Sequence, residues 1–559
     1  MQTTDKISCR ILASLLANNV SDVIVSPGSR NAPLITALEA EKSLRKTVVI
    51  DERSAAFIAL GMAQETGPVA LVCTSGTAPL NYAPALAEAY YRGIPLIAIS
   101  ADRPAEWIDQ DDSQTIHQNG ALNNVVKKSY DIPDSSHPDK DYHWMVNRTV
   151  NDAIMTCKMR KPGPVHINVQ LKAPLNGTTV YEQLHERQIE LVECNRDICD
   201  DQLNRMAAFA RESRILVVAG FMTPNRALTE AVSRLNNLPN VTVMAETVSN
   251  LILPPECYSI DRVLSTLKNE EKDTLGPDIV ITIGGALISR QVKEYLRDFT
   301  PKQHWSVGMQ HTTVDPIRSL THRIETQPEL FIEKLRKRME EEKVVKSDYA
   351  DNWKTLRQNA DLSAERFLNN TPWSDLKAFE TIFRVLPQSI NLHLSNGTAI
   401  RYNQLLAKRT YISTNCNRGV SGIDGSTSTA IGASMAGENM NVLVTGDMSF
   451  CYDISALNTP VPSNLRIIVT NNQGGGIFRF IGSTRALECR DRYLCAPPKV
   501  NFEPLAEAFG LEYFRAETEI EVETGIKELL DSPSAGILEI VTPGENGGKI
   551  LTEFMNRQK

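Results

Sequence analysis

Short apolar runs that break off in polar or glycine-bearing loops recur along the whole chain, and they constrain its fold more than any other feature. Asp22-Val-Ile-Val25 runs into Ser26-Pro-Gly-Ser-Arg30, and Thr47-Val-Val-Ile50 into Asp51-Glu-Arg53. Pro68-Val-Ala-Leu-Val-Cys-Thr74 and Ile94-Pro-Leu-Ile-Ala-Ile-Ser100 end in the same way. Helix-period stretches separate them. Runs of this length without polar alternation are expected of strands buried on both faces, as in parallel sheets covered by helices.

The alternation restarts twice. A second block begins near Asn195, with Ser213-Arg-Ile-Leu-Val-Val-Ala219 and Asp278-Ile-Val-Ile-Thr-Ile283 as its clearest strands, and closes in a charged helical run from Leu330 to Lys346. That run reads as a solvated helix face. A third block follows a boundary between Lys346 and Trp373. Its strands are Gln388 to Leu394, Met440 to Thr445, Leu465 to Thr470 and Gly536 to Val541. A chain of 559 residues exceeds one hydrophobic core. The pattern predicts an α/β protein of three doubly wound, mostly parallel-sheet domains at 1–182, 190–345 and 374–559. Ligands of such sheets bind at strand C-termini, and the first and last blocks carry the densest polar loops there.

Composition narrows the function. The N-terminus has neither a basic segment leading into an apolar core nor a small-residue cleavage site, and no uninterrupted apolar run reaches about 18 residues, so neither secretion nor a membrane span is expected. The ten cysteines are scattered, without zinc-site spacing, as expected of reduced thiols in a cytoplasmic enzyme. A formal net charge of −8 argues against nucleic acid as a partner.

Two loops of the last block point to a metal. Val444-Thr-Gly446-Asp447-Met-Ser-Phe-Cys-Tyr-Asp453 and Ile468-Val-Thr-Asn471-Asn472-Gln-Gly474-Gly475-Gly476 each begin at a strand end, separated by room for one helix and one strand. Asp447 and Asn472 can therefore lie on neighbouring strand tips. Magnesium takes hard oxygen donors, few of them from protein and the rest from phosphate and water. The glycines let backbone groups approach a diphosphate. Taken singly, each loop is equally a turn after a strand. Together they resemble the paired GDG and NN signature of thiamine-diphosphate enzymes, with Met448 and Gln473 departing from its commonest form. The resemblance implies Mg²⁺ held by Asp447, Asn472 and the Gly474 carbonyl. It also implies thiamine diphosphate contacts from Gly446, Met448, Ser449, Gly475 and Ile477.

That cofactor needs a carboxylic acid at its aminopyrimidine and an apolar prop beneath its bend. Glu52, in Asp51-Glu-Arg53 before the helical Ser54-Ala-Ala-Phe-Ile-Ala-Leu-Gly61, resembles the glutamate, which burial would keep protonated. On its own it is also an acid favoured at a helix N-terminus. Ile423, in Asn417-Arg418-Gly-Val-Ser421-Gly-Ile423-Asp-Gly425, resembles the prop, with Ser421 beside the cofactor. A core isoleucine is the alternative.

The set of Ser26-Pro-Gly-Ser-Arg30, Thr74-Ser-Gly-Thr-Ala78, Ser100-Ala-Asp-Arg103-Pro104, Ser113-Gln114-Thr-Ile-His-Gln118 and Asn417 to Gly425 closely resembles the 2-succinyl-5-enolpyruvyl-6-hydroxy-3-cyclohexene-1-carboxylate synthase (MenD) family. The likeness covers the first and last domains well and the middle one loosely. It implies pyrimidine-binding, central Rossmann-like and diphosphate-binding domains in that order. It also implies two substrates with two carboxylates each, 2-oxoglutarate and isochorismate, the second attacked by 1,4-addition. Guanidinium groups match carboxylates bidentately, and the resemblance assigns this work to Arg30, Arg103, Arg401 and Arg418, helped by Ser29 and Gln114. Glu52, Arg30 and Gln114 form the implied catalytic set. In Gly284-Gly-Ala-Leu-Ile-Ser-Arg290-Gln291, where the family often has a basic pair, only Arg290 is basic. Ile477, Phe478 and Ile481 are implied to cover the reacting face. A homodimer or homotetramer is implied, its site lying between the first domain of one subunit and the last of another.

The nearest rival is another thiamine-diphosphate-dependent 2-oxo-acid decarboxylase or carboligase, which would need fewer arginines. A noncatalytic regulator that kept the fold would be expected to lose Glu52. A nicotinamide or flavin site in the middle domain lacks a complete G-x-G-x-x-G loop.

Overall fold

In the computed structural model the described residues are 2–557, apart from 136–137, 183, 195, 310–311 and 408–409. Asn195, where the second block was placed, is thus outside them. Three parallel sheets with intervening helices make up the bulk of these residues. In the first, six strands lie in the order Arg45–Val48, Asp22–Val25, Val69–Cys73, Leu96–Asp102, Val165–Gln170, Ser129–Ile132, every neighbouring pair parallel. The last sheet repeats this chain order with Ser413–Cys416, Asn391–Leu394, Asn441–Gly446, Leu465–Asn471, Gly536–Val541 and Glu512–Ala516. The middle sheet has five strands, Val241–Ala245, Ile215–Ala219, Ile279–Ile283, Gln303–Val307 and His322–Ile324. The α/β expectation holds. Each order reverses beside its first strand, the switch point at which open sheets bind ligands.

Most strands fall within two or three residues of their expected bounds. Thr47–Ile50 is where a small shift matters: the strand is Arg45–Val48, and Val48 and Ile50 are 64% and 74% exposed. It is an edge strand, paired only with Asp22–Val25, so its apolar end is left uncovered ahead of Glu52. The expected boundary at 346–373 is mostly helix, Tyr349–Asn369, which buries Trp353, Leu356, Ala360, Ala364 and Leu368.

By internal packing the chain forms two compact units. One comprises Met1–Glu193, Gly419–Glu438 and Tyr452–Leu465, and the other comprises Cys194–Arg418, Asn439–Cys451 and Arg466–Lys559. The first unit therefore takes in two segments that the sequence assigns to the last domain. The cause is a helix pair. Glu52–Thr66 and Ser426–Ala436 approach so closely that a Cβ on Gly61 would lie 2.0 Å from the Thr429 carbonyl oxygen, and one on Gly432 would lie 1.9 Å from that of Ile58. Gly432→Ala is expected to cost about 1–3 kcal/mol in chemical denaturation, as overpacking does. Gly437→Ala, whose added methyl meets only the Ala433 oxygen at 3.9 Å, is the control expected to change little. The second unit is cored by separate apolar clusters, among them one around Phe379, Ile382, Val444 and Ile468 in the last sheet and one around Val217, Val243, Ile281 and Phe331 in the middle sheet.

Candidate active site

In the first unit, chemistry-bearing side chains gather on strand-end loops. Residues 26–30 pack against the next loop so tightly that a Cβ on Gly28 would lie 2.3 Å from Thr74. Arg30 is buried and donates from Nη1 to the Leu171 carbonyl at 3.0 Å. Burial and then the neighbouring Arg103 lower its pKa, with Asp112 and Asp102 opposing. Arg103 pairs with Asp112 at 2.8 Å and donates to the Ser113 carbonyl at 3.1 Å, while its Nε is buried without a partner. Two facing cations with donors to spare are suited to an anion. Gln114 sits at φ 56°, and a Cβ on Gly76 would come within 3.2 Å of its Cα. Ser29 and Gln114 are both exposed.

Gln118 and Asn168, which carried no assigned role in the sequence, support these loops. The Gln118 oxygen accepts the Gly76 N–H at 3.0 Å, and its nitrogen reaches the Asn168 oxygen at 2.8 Å. Asn168 in turn donates to Asp102 at 2.9 Å and Asp131 at 2.8 Å.

Glu52 opens its helix, capped by the Asp51 carboxylate, which accepts the Arg53 N–H at 2.9 Å. The flanking residues are anchors. Asp51 accepts the Ser455 hydroxyl at 2.6 Å, and Arg53 donates to the Tyr452 carbonyl at 3.0 Å with its guanidinium 4.9 Å from that ring. Glu52 itself is half-buried, and burial raises its pKa, its own backbone N–H opposing and Asp51 adding to the rise. Ser421 adopts φ 67° and is exposed, and Ile423 is half-buried, so Ile423 is not sealed in the core.

In the second unit the two metal-type loops meet as expected. Strands Asn441–Gly446 and Leu465–Asn471 are neighbours. Asp447, 1% exposed, accepts the Gly474 N–H at 2.7 Å and the Met448 N–H at 2.8 Å. Burial pushes its carboxyl up to about 6, with the two amides opposing. Asn472 donates its nitrogen to Asp375 at 2.6 Å, which leaves Oδ1 as its oxygen for a cation. Gly474, at φ 108°, has its carbonyl accepting from Gly476 N at 2.8 Å, with a second lone pair remaining. Met448 lies in the short helix Asp447–Tyr452, where the backbone does not require glycine. Ser449 is buried there.

A Cβ built on Gly446 or Gly397 would meet nothing within 4 Å. Gly446 ends one strand and Gly397 follows its neighbour at the switch point, so open space lies beside Asp447. Hard oxygens around a roomy, glycine-lined strand end fit a magnesium diphosphate. Ile477, Phe478 and Ile481 are half-buried around the turn Gly476–Arg479, and a Cβ on Gly475 would strike the Phe478 ring at 2.6 Å. Asp375, fully buried and held by Asn472 and Thr542, was missed by sequence reasoning, as was the Ser395-Asn396-Gly397 loop.

The remaining arginines separate. Arg401 loses basicity to burial and then to neighbouring Arg418, with Cys416 and Asp261 opposing. Arg418 donates to the Asn396 oxygen at 3.2 Å and keeps a buried, unpartnered Nε. Arg290, by contrast, has a side chain 80% exposed and paired with Glu294 at 2.6 Å, so the structure does not bring it to this cluster. Lys293, on the same helix Arg290–Asp298, is half-buried, and the charges acting on it include Glu246, Arg418 and Asp261. Arg290→Ala is expected to leave the KM of an anionic substrate unchanged. Lys293→Ala should raise it by about tenfold or more, the worth of one charge-assisted hydrogen bond.

Three family models match successive parts of the chain. The N-terminal thiamine pyrophosphate-binding domain of thiamine pyrophosphate enzymes covers residues 6–121, their middle domain 186–394, and their C-terminal thiamine pyrophosphate-binding domain 395–540. Curated relatives include the 2-succinyl-5-enolpyruvyl-6-hydroxy-3-cyclohexene-1-carboxylate synthases of Porphyromonas gingivalis, 38% identical over 99% of this chain and 97% of that protein, and Christiangramia forsetii, 36% identical over 98% of each. The enzyme of that name from Bacteroides fragilis is 34% identical over the full length of both. The chain belongs to this synthase family. As a family member it is a thiamine-diphosphate-dependent transferase, with Glu52 in the N-terminal cofactor domain and Asp447 and Asn472 in the C-terminal one. Among the described residues no helix is long and apolar enough to cross a membrane.

Proposed function

We propose that this chain removes carbon dioxide from 2-oxoglutarate and adds the remaining four-carbon unit to isochorismate by 1,4-addition. The product is 2-succinyl-5-enolpyruvyl-6-hydroxy-3-cyclohexene-1-carboxylate, in menaquinone biosynthesis. The observation that carries this reading is the doubled arginine pair, Arg30 with Arg103 and Arg401 with Arg418, each pair within mutual electrostatic reach. Cations held together against their own repulsion are suited to substrates rich in carboxylates.

Bound thiamine diphosphate supplies a carbon nucleophile and an electron sink for breaking and forming carbon–carbon bonds. Glu52, its pKa raised by burial, holds a proton at the carboxyl oxygen that meets the aminopyrimidine. Asp447, Asn472 and the Gly474 carbonyl would hold Mg²⁺, and the glycines at 446 and 475 would admit the diphosphate. Ser421 and Ile423 bear on the cofactor, Ile423 as its apolar prop. Arg30, Arg103, Arg401 and Arg418, with Ser29 and Gln114, orient the substrate carboxylates. Ile477, Phe478 and Ile481 would exclude water from the site.

We assign 1–182 to pyrimidine binding, 190–345 to a central Rossmann-like domain and 374–559 to diphosphate binding. The working form is a cytoplasmic homo-oligomer, at least a dimer, in which the Glu52 half of one copy meets the Asp447 half of another. The exposed Val48 and Ile50 beside Glu52 support an apolar surface that a second copy covers. Light scattering that found only monomers under assay conditions would remove this part.

The decisive assay is mass spectrometry of the purified chain with thiamine diphosphate, Mg²⁺ and 2-oxoglutarate, with and without isochorismate. The succinyl-cyclohexene adduct should form only when isochorismate is present. Succinic semialdehyde alone would keep the cofactor chemistry and refute the acceptor, leaving a decarboxylase.

A further inference from the structure

We infer that Glu88 is a positioning residue for the cofactor prop, setting where Ser421 and Ile423 stand. The inference rests on the reading that this loop meets thiamine diphosphate. Glu88 lies on the helix Ala83–Arg92 and is fully buried. One carboxylate oxygen accepts the Gly419 N–H at 2.8 Å and the other accepts the Val420 N–H at 2.8 Å. A buried carboxylate is retained only where its charge is met, and two backbone donors with a cation meet it. The cation is Arg92, 3.8 Å away, with both side chains almost wholly excluded from solvent.

The backbone contact is as close as the side-chain one. A Cβ on Gly419 would lie 2.6 Å from the Glu88 carbonyl oxygen, so only glycine lets the loop seat there. Ser421, next but one in the chain, takes the left-handed region at φ 67° without being glycine. Such a conformation is held by its surroundings and not by preference. At the far end of the loop, a Cβ on Gly425 would lie 2.2 Å from the Phe57 ring, and Phe57 belongs to the helix that Glu52 begins. Ser421 and Ile423 are thus strung between Glu88 at one end and Phe57 at the other. Fixing both ends of the loop gives the prop a defined height, which a bend-dependent cofactor requires.

The test uses the full-length protein with Mg²⁺. Thiamine diphosphate affinity is read by calorimetry, and the rate of C2 proton exchange in the bound cofactor is read by quenched proton NMR in deuterium oxide. Glu88→Gln keeps one acceptor oxygen and loses the charge. It is expected to slow exchange by about 10- to 100-fold, the order of effect of a misplacement near 1 Å, while Mg²⁺-dependent affinity changes less than exchange. Gly419→Ala perturbs the same contact from the loop itself and should show the same split, so the test does not depend on one variant folding. Folded variants that bind the cofactor and exchange C2 at the wild-type rate would overturn the inference, whatever their melting temperature. Absence of cofactor binding by the wild-type chain would instead overturn the site reading itself, and the two failures are told apart by that one control.

Discussion

Glu52→Gln should lower kcat by about 10²–10⁴-fold, the usual worth of a positioned acid–base group, with the chain still folded and still binding thiamine diphosphate. Glutamine keeps the size and a hydrogen-bonding head but cannot exchange a proton. The stability sign is opposite to that of an ordinary mutation. The folded-state pKa of Glu52 is raised, first by burial and further by Asp51. Ionisation therefore works against the folded state as pH rises through the interval between its unfolded and folded values, and the penalty persists above it. Glutamine removes that penalty, so the variant should be no less stable than wild type near pH 7, a trade of stability for activity common at active sites. The wild-type rate should also fall as pH rises past the Glu52 pKa in the complex, and that limb should vanish from the residual activity of the variant. Turnover close to wild type in a purified, cofactor-loaded variant would sink the assignment.

What could be read from the sequence was what physics makes local. Buried parallel strands are apolar without alternation, so their ends, and the loops at Arg30, Arg103, Asp447 and Asn472, were legible. The meeting of the Asp447 and Asn472 loops was legible because strand-end loops separated by room for one helix and one strand can lie side by side, as they do. Asp375 was not, because its partners Asn472 and Thr542 are 97 and 167 residues away and it follows Ser374, which looks only like a helix cap. Glu88 was hidden for the same reason, its partners lying 331 and 332 residues on. Arg290 was misplaced although the signal was present. Val292, Tyr295 and Leu296 form the buried stripe of its helix, which turns Arg290 and Glu294 outward and brings Lys293 nearer the core. A motif alignment fixes position along a helix and says nothing of its rotation. The edge strand failed differently: Val48 and Ile50 are apolar because of what the sequence pattern cannot name, a surface left uncovered within the single chain.

Asp447→Ala should weaken Mg²⁺-dependent binding of thiamine diphosphate by about 10²-fold or more, since removing one partner of a buried charge pair costs about 2–5 kcal/mol. The carboxylate has two tasks here. It would supply charge to the proposed cation, and it holds the Gly474 N–H at 2.7 Å so that the glycine loop keeps its left-handed turn at φ 108°. Asp447→Asn separates them, because an amide oxygen can still accept from Gly474 while the charge is gone. If the charge matters most, Asn should behave nearly like Ala in calorimetry. If loop shape matters most, Asn should bind nearly like wild type. Thermal melts supply an independent reading. Without metal, alanine sheds a buried carboxylate together with its two amide bonds, so the melting temperature should move little. Wild type should gain about 2.7 kcal/mol of stability at a cofactor concentration 100 times its Kd, and the alanine variant about 0.4 kcal/mol or less at the same concentration. Equal cofactor-induced stabilisation in wild type and Asp447→Ala, or a wild-type response that survives chelation of Mg²⁺, would show that the metal is not held where these two strand ends meet.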